Sequence, residues 1–431
     1  MNSFDVVVVG AGPAGGQMAR LMAKSGYKVL LVEQHENFSK NDFSSAVTLL
    51  STLEQFNLPE QVIGSFWNQF VAVTTNTKQV WDSPEHLGVV LDFAKLKEFL
   101  ANDVKSYGGE VWMGYRYVRH FQDNRKTLVT LKQRSEGKFE TVGTKVLVDA
   151  TGFARSVMYE KQREQPKLLS ATGIEYVIEV DEAAYNQYSK SIFFFLGYKW
   201  MPRGYSWIFP MDKFRLKVGA GRFNLEHKNI KYTESLQYYI QLLIDKHVMP
   251  KEYRIIDIHG STIKYSQGLK DIYYKDNAIA VGDAVSTVNF LGGEGIRHGM
   301  YSAEIAATHI KRYLENQISD FRDYQVQMRR YFLPKWDISA KAGIKKYLIE
   351  SDKKIDEAFT YLGFLKTEEI IDVLFHYKLG KLNQGFVKYL ISKVFGLIDK
   401  FRHVLRTPTY LRNLSFPHNA QDAVGTKHLG D

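Results

Sequence analysis

A chain of 431 residues, 45% hydrophobic and 24% charged, is long enough for roughly two or three domains with sizeable cores, and its composition is that of an ordinary globular protein. It has no cysteine, which excludes disulfides, thiolate metal sites and thiol nucleophiles. The formal charge of +10 is concentrated: between Lys378 and Arg412 eight Lys or Arg stand against one acid, Asp399, a cluster suited to an anionic surface of lipid or nucleic acid.

The segment Met1–Gly10 lacks the basic region and cleavage site of a signal peptide, and its valine run reads as a strand. No apolar run approaches the ~18–20 residues needed to span a bilayer, Ile192–Leu196 being far too short, so a cytoplasmic protein is expected. The spacing predicts a strand over Asp5–Val9, a helix over Gly12–Ser25 stopped by Gly26, and a strand over Lys28–Glu33, which is the start of a dinucleotide-binding βαβ unit. A helix follows over Leu91–Tyr107, and a strand over Val146–Val148 leads into Asp149-Ala150-Thr151-Gly152. Residues Ile174 to about Ile258 read as strands and turns with one helix around Thr233–Asp245. Ala278–Val281 is a further buried strand and Gly295–Arg312 a helix. Beyond Pro334 the chain reads as helical, apart from a polar tail after about Pro417. No internal repeat is present. The expected class is α/β: a Rossmann-like nucleotide-binding domain (1–60, 91–165 and 259–330) interleaved with a β-rich substrate domain (61–90 and 166–258), followed by a helical C-terminal extension (331–431).

Two glycine-rich turns carry the chemistry. In Gly10-Ala11-Gly12-Pro13-Ala14-Gly15, Gly10 permits a tight turn, Gly12 lets the backbone approach a pyrophosphate, and Gly15 allows close helix–strand packing. The helix start then offers free N–H groups to phosphate. Glu33 is placed to accept hydrogen bonds from an adenosine ribose. Far along the chain, Gly282-Asp283-Ala284 follows a strand at once, which suits a carboxylate accepting from ribityl hydroxyls. Gly292, Gly293, Gly295 and Ile296 then bring backbone N–H groups and a helix start towards the pyrimidine end of a flavin. The blander account is a ligand-free turn in the first case and an aspartate cap before a loop in the second. Together the two turns point to one long bipartite cofactor, and FAD fits best.

The set Gly10–Gly15, Asp149-Ala150-Thr151-Gly152 and Gly282-Asp283-Ala284 resembles the flavoprotein class that includes p-hydroxybenzoate hydroxylase. Within it, Leu291-x-Gly293-Glu294-Gly295-Ile296 is similar to the geranylgeranyl reductase family. So is Tyr205-x-Trp207-x-Phe209-Pro210, followed after eight residues by Gly219-x-Gly221, the position of that family's substrate-site signature. The likeness covers about residues 1–330. It implies an FAD-dependent oxidoreductase that reduces carbon–carbon double bonds of an isoprenoid or related lipid by hydride transfer from reduced flavin. Rival readings are a flavin monooxygenase or halogenase, and a non-redox, lycopene cyclase-like enzyme.

Tyr205, Trp207 and Phe209 alternate on a predicted strand, so all three point to one face. Pro210 ends that strand and Phe214–Gly221 returns beside it. The three rings read as the wall of a substrate cavity, with the glycines opposite leaving room for a chain-like substrate; a packed core strand is the alternative. Three departures from the family stand out: Phe290 replaces a proline, Asp92-Phe93 replaces Asp-Arg, and Ser44 and Ser45 occupy the loop where some members carry a cysteine. A serine hydroxyl is far less acidic than a thiol, which leaves the proton donor unassigned.

His35, His259, His298 and His309 show no metal spacing and read as surface or capping residues. Arg155 and Arg297, beside the flavin motifs, suit either cofactor or substrate contact or surface salt bridges. No second dinucleotide fingerprint is present, so electrons are expected from NAD(P)H bound transiently or from a reduced protein. Between Phe386 and Leu405, Val387, Leu390, Ile391, Val394, Ile398, Phe401 and Leu405 share one helical face, flanked by Lys393, Lys400 and Arg402. This basic amphipathic segment suits either an anionic membrane, making the protein peripheral there, or inward packing with solvated lysines. Nucleic acid is not expected as a partner, for want of any matching module.

Overall fold

The computed structural model describes residues 2–41, 43–123, 126–225 and 234–389. Runs of Val, Leu and Ile, too apolar to show one face to water, form a parallel sheet buried on both sides. Its five parallel strands lie in the order Ala278–Ala280, Phe139–Asp149, Ser3–Val9, Val29–Glu33 and Glu110–Met113. Val6, Val7, Val8, Leu30, Leu31, Leu147 and Val148 are inaccessible to solvent. Two further strands extend the sheet: Lys126–Gln133 runs antiparallel to the long strand 139–149, and Tyr115–Asp123 antiparallel to Lys126–Gln133. The helices Pro13–Lys24, Phe93–Ser106 and Ile296–Leu314 pack on it. Asp92, where the family has Asp-Arg, caps the second of these by accepting from the Lys95 N–H at 3.1 Å.

The second sheet has seven strands, in the order Tyr253–Ser266, Leu168–Val180, Arg215–Phe223, Gly204–Pro210, Ser191–Leu196, Gln69–Val73 and Lys78–Asp82. All its pairings are antiparallel except that of 191–196 with 69–73. The strand 253–266 runs through the boundary expected at 258/259, so residues 259–266 pair within this sheet. The one expected helix in this region is Leu236–Leu243, capped by Ser235 and running on into a wider turn over Ile244–Val248. A three-stranded sheet of Val47–Leu49, Gly88–Leu91 and Ile63–Trp67 lies beside it.

Helical structure begins before Pro334, not after it: a helix runs from Arg322 to Ile344 with the proline inside. Tyr324, Met328, Phe332, Trp336 and Ala340 recur every four residues as one buried stripe, and that packing outweighs the hydrogen bond the proline cannot donate. The Tyr324 hydroxyl donates to Ala280 O at 2.6 Å and fixes this helix to the parallel sheet. The helices Asp352–Leu362 and Thr367–Leu374 fold back onto the seven-stranded sheet. There Asp356 accepts from Thr74 and Asn76, Asp352 from Thr75 and Tyr198, and Leu365 O from the Trp81 indole at 3.1 Å. Of the expected amphipathic helix Phe386–Leu405, residues 386–389 close a helical stretch 382–389, and 390–405 lie outside the described residues. Three lysines of the basic cluster are paired with acids from outside it: Lys378 and Lys381 with Asp372, and Lys388 with Glu369. Among the described residues no helix is long and apolar enough to cross a membrane.

A fully buried ion pair joins the two sheets. Arg155 donates to Asp271 at 3.0 Å and to the Ser286 hydroxyl at 2.9 Å, and that hydroxyl donates to the other Asp271 oxygen at 2.7 Å while accepting from Ser266 N. Arg155, expected at cofactor or surface, is inaccessible to solvent, because these four groups meet only in the folded chain. Burial pushes the Asp271 carboxyl up, and Arg155 and Ser286 oppose that shift. Asp271→Ala strands the buried guanidinium and is expected to cost about 3–5 kcal/mol in urea unfolding. Replacing both partners by leucine should cost clearly less, since no charge is then buried alone.

Candidate functional site

The first glycine turn is fixed by sterics. Gly10 takes φ +104°, and a Cβ there would lie 2.3 Å from Ala150 O. A Cβ at Gly15 would lie 1.9 Å from Gly10 O. At Gly12 a Cβ would meet nothing within 4 Å: open space fronts the start of helix 13–24, whose first N–H groups have no intrahelical acceptor and whose first turn has no acid. Pro13 opens that helix where a missing N–H costs nothing. Glu33, buried at the end of its strand, accepts from Ala11 N and His35 N at 3.0 Å each. It therefore braces the turn, while each of its oxygens keeps a second lone pair.

Asp149 does comparable work with no ligand. One oxygen accepts from the Thr151 N–H and hydroxyl at 3.0 and 2.7 Å, the other from Val157 N and Met158 N at 3.0 Å each. All the bonds lie within nine residues of sequence, so the Asp-Ala-Thr-Gly motif is a self-braced turn.

The second turn meets the first. Gly282, at φ +65°, faces Ala14 so closely that a Cβ on it would be 2.7 Å from the Ala14 methyl, and one on Gly299 would be 3.4 Å from it. Asp283 uses one oxygen locally, accepting from Val288 N at 3.0 Å and Thr287 at 3.3 Å, and the other accepts no hydrogen bond among the described residues. Burial raises its carboxyl above the usual carboxylate range, against the pull of Arg155. Gly293 takes φ +69°, where a Cβ would approach the Tyr205 hydroxyl to 2.9 Å. Asn289 shapes this turn by accepting from Leu291 N at 2.9 Å with its side chain and from Gly293 N at 2.8 Å with its carbonyl. Gly295 precedes the helix that Ile296 starts, and both line the larger cavity described below. Open space at Gly12, an uncommitted oxygen on Asp283 and direct contact between the turns fit one extended anionic cofactor bridging them, as FAD is.

The aromatic strand faces that junction. Tyr205, Trp207 and Phe209 lie on one face of strand 204–210, with successive ring centroids 5.7 and 6.3 Å apart. The Tyr205 hydroxyl, pushed up to about 12 by burial, donates to Gly292 O at 2.9 Å and ties the sheet to the second turn. Register explains the glycines opposite. His259, Glu175, Gly219 and Trp207 form one row across four strands. The indole lies over Gly219, where a Cβ would be 2.2 Å from its ring, and donates to Glu175 at 2.6 Å. Gly219 thus makes room for tryptophan rather than for substrate, a correction to the expectation from spacing. Gly173 and Gly221, in the next row with Tyr205, leave an actual depression.

Two cavities meet at these rings. One, of about 160 Å³, has Gly173, Gly221, Glu175 and His259 on its floor. The other, of about 370 Å³, is apolar and runs between the seven-stranded sheet and the C-terminal helices, past Phe70, Phe194, Phe359 and Leu374. Ser44, Ser45, Tyr205, Trp207 and Gly293 line both. Beside the larger one, Glu294 is held by Arg297 at 2.8 Å, His298 at 3.2 Å and Tyr377 at 2.7 Å. Burial alone would raise its carboxyl, but the contacts to His298 and Arg297 outweigh that and hold it well below the usual range. His298 and His309, expected as surface or capping residues, are buried, because helix 296–314 packs on both sides. Arg297, placed by sequence at cofactor or surface, instead grips Glu294 and Phe375 O. Among the described residues no cluster of His, Asp or Glu could hold a metal ion.

The sequence model of the FAD dependent oxidoreductase family matches residues 5–267. A digeranylgeranylglycerophospholipid reductase of Haloferax volcanii is 31% identical over 74% of this chain and 78% of its own. Digeranylgeranylglycerophospholipid reductase 3 of Methanosphaera stadtmanae is 25% identical over 89% of this chain and 98% of its own. Among solved structures, a geranylgeranyl bacteriochlorophyll reductase-like protein of Thermoplasma acidophilum superposes with a TM-score of 0.75 at 20% identity, over 89% of this chain and 100% of that one.

Asp283→Ala removes a charged acceptor at the second turn. It should weaken FAD retention by about 1.5–3 kcal/mol, read as the flavin dissociation constant after dialysis.

Proposed function

The chain belongs to the FAD dependent oxidoreductase family, and from that premise we propose that it reduces carbon–carbon double bonds in the prenyl chains of an isoprenoid lipid. The observation that carries this reading is the apolar cavity of about 370 Å³, which ends at the second glycine turn and the aromatic strand. Its size falls in the range of about 300–1,000 Å³ usual for small-molecule sites. A prenyl chain in it would gain about 0.8 kcal/mol per buried CH₂. The names of the relatives, reductases of digeranylgeranylglycerophospholipid, support the same substrate class.

Bound FAD supplies the hydride for the reduction. The chain's own residues hold and shield the reactants. The N–H groups opening helix 13–24, beside Gly12, Ala14 and Gly15, receive the pyrophosphate, and Glu33 the adenosine ribose. The free oxygen of Asp283 receives ribityl hydroxyls. Gly293, Gly295 and Ile296 present the positive end of helix 296–314 to the charge that develops at the pyrimidine end. Tyr205, Trp207 and Phe209 position the alkene and exclude water. In this reading residues 1–60, 91–165 and 267–330 are the cofactor-binding portion, strand 253–266 having moved the boundary expected at 258/259, and electrons come from NAD(P)H bound transiently or from a reduced protein. The substrate class also supports peripheral membrane contact through 386–405, where Phe386 and Val387 are exposed.

The reading is tested by incubating anaerobically reduced protein with a glycerophospholipid carrying geranylgeranyl chains and weighing the product. Two added hydrogens per reduced bond are expected; added oxygen would mark a monooxygenase instead. Trp207→Ala should cut turnover by about 10²-fold through misplacement of the alkene, with FAD content unchanged. For the membrane, sedimentation with anionic liposomes should be strong in low salt and partial in high salt, and Lys393→Glu with Lys400→Glu should remove most of the salt-sensitive part. Indifference to liposomes at low salt contradicts that contact.

A further inference from the structure

Reduction of a double bond needs a proton as well as a hydride, and the loop at 44–45 supplies only serines. The titratable groups lining the cavity of about 160 Å³ are Glu175, Tyr205, Arg222 and His259. Tyr205 is committed to Gly292 O and is a weaker acid than an ordinary tyrosine. Arginine does not release its proton in proteins. Across the aromatic partition, Glu294 is held as a carboxylate by Arg297. In the smaller cavity that leaves Glu175 and His259, which face each other across neighbouring strands.

Their geometry suits a shared proton. His259 Nε2 lies 3.0 Å from one Glu175 oxygen, and the other Glu175 oxygen accepts the Trp207 indole N–H at 2.6 Å. His259 Nδ1 lies 3.2 Å from Asp257, whose side chain is 52% exposed, while those of His259 and Glu175 are 13% and 4% exposed. The line therefore runs from solvent at Asp257 through His259 and Glu175 to the cavity beneath Trp207. Resting on the function read above, we propose that the Glu175–His259 pair is the proton source for the double-bond reduction and is refilled from solvent through Asp257.

In the balanced step the carbon–carbon π bond breaks and two C–H bonds form. One carbon takes a hydride, with its two electrons, from the reduced flavin; the other takes a proton from the pair. The alkene is reduced, the flavin is oxidised, and the pair, short of one proton, regains it from water by way of Asp257.

The charged groups facing His259 are Glu175 on strand 168–180, Asp257 on its own strand and, beyond Glu175, Lys217 on strand 215–223, 4.0 Å from the same Glu175 oxygen. Burial alone would lower the imidazole, but the two carboxylates outweigh it and Lys217, so His259 titrates above its ordinary value. The imidazolium thus persists to higher pH than that of an ordinary histidine and is lost as pH rises through that raised value.

Two measurements on the FAD-loaded protein test this. The first, with oxidised, substrate-free protein, is an NMR titration of its histidines, with the His259 signal assigned by its loss in His259→Gln. Wild type should titrate above the ordinary histidine value, and Glu175→Gln and Asp257→Asn should each move it down. The second is lipid reduction. His259→Gln should slow it by about 10²–10⁴-fold, with FAD content and the rate of flavin reduction by dithionite unchanged. Asp257→Asn, a change at an exposed site, should shift the alkaline limb of the rate profile to lower pH. An ordinary His259 titration unmoved by either carboxylate substitution, or a His259→Gln enzyme with wild-type rate and pH profile, overturns the proposal. A wild type that reduces no prenyl lipid overturns the reading of function, and this proposal with it.

Discussion

The Ala14 methyl packs against Gly282, and the rest of the site depends on that contact. Two turns some 270 residues apart in sequence come within van der Waals distance only because both positions are small. With them come the open start of helix 13–24 and the Asp283 oxygen that accepts no hydrogen bond among the described residues, which we propose hold the two ends of one extended cofactor. A valine at Ala14 would force the two turns apart. Gly299, on helix 296–314, is small for the same reason.

A second constraint sets the other side. The sheet rows that pass through Gly219 and through Gly173 and Gly221 give up side chains so that Trp207 can lie flat and reach Glu175. The indole is thereby fixed at both edges, by packing and by a charge-assisted hydrogen bond. Tyr205, two residues earlier, clasps the second glycine turn. The aromatic strand is thus the partition between a small polar cavity and a large apolar one, and it holds sheet and cofactor turn in fixed relation. Such rigidity favours catalysis, since only a fixed relation between hydride source and alkene lowers the barrier selectively.

Local patterns were legible in the sequence; side-chain partnerships across long separations were not. The valine runs and the period of helix 93–106 announce their elements, and the alternation of Tyr205, Trp207 and Phe209 announces a shared face. Nothing near Arg155 announces Asp271, 116 residues away, or the Ser286 hydroxyl between them. The spacing of Gly219 and Gly221 suggested room for substrate because sequence does not say whose side chain fills a glycine's space. Pro334 reads as a boundary by propensity, and the buried stripe of helix 322–344 overrode it. His298 reads as polar and therefore exposed, whereas Glu294 and Tyr377 make its burial tolerable.

The central claim is that bound flavin passes its electrons to a prenyl double bond. It is tested most directly by reducing the protein-bound flavin under argon and adding a geranylgeranyl glycerophospholipid while recording the flavin absorbance. The account predicts that the oxidised spectrum returns without oxygen, one flavin for each double bond saturated. Flavin that stays reduced until air is admitted would contradict it.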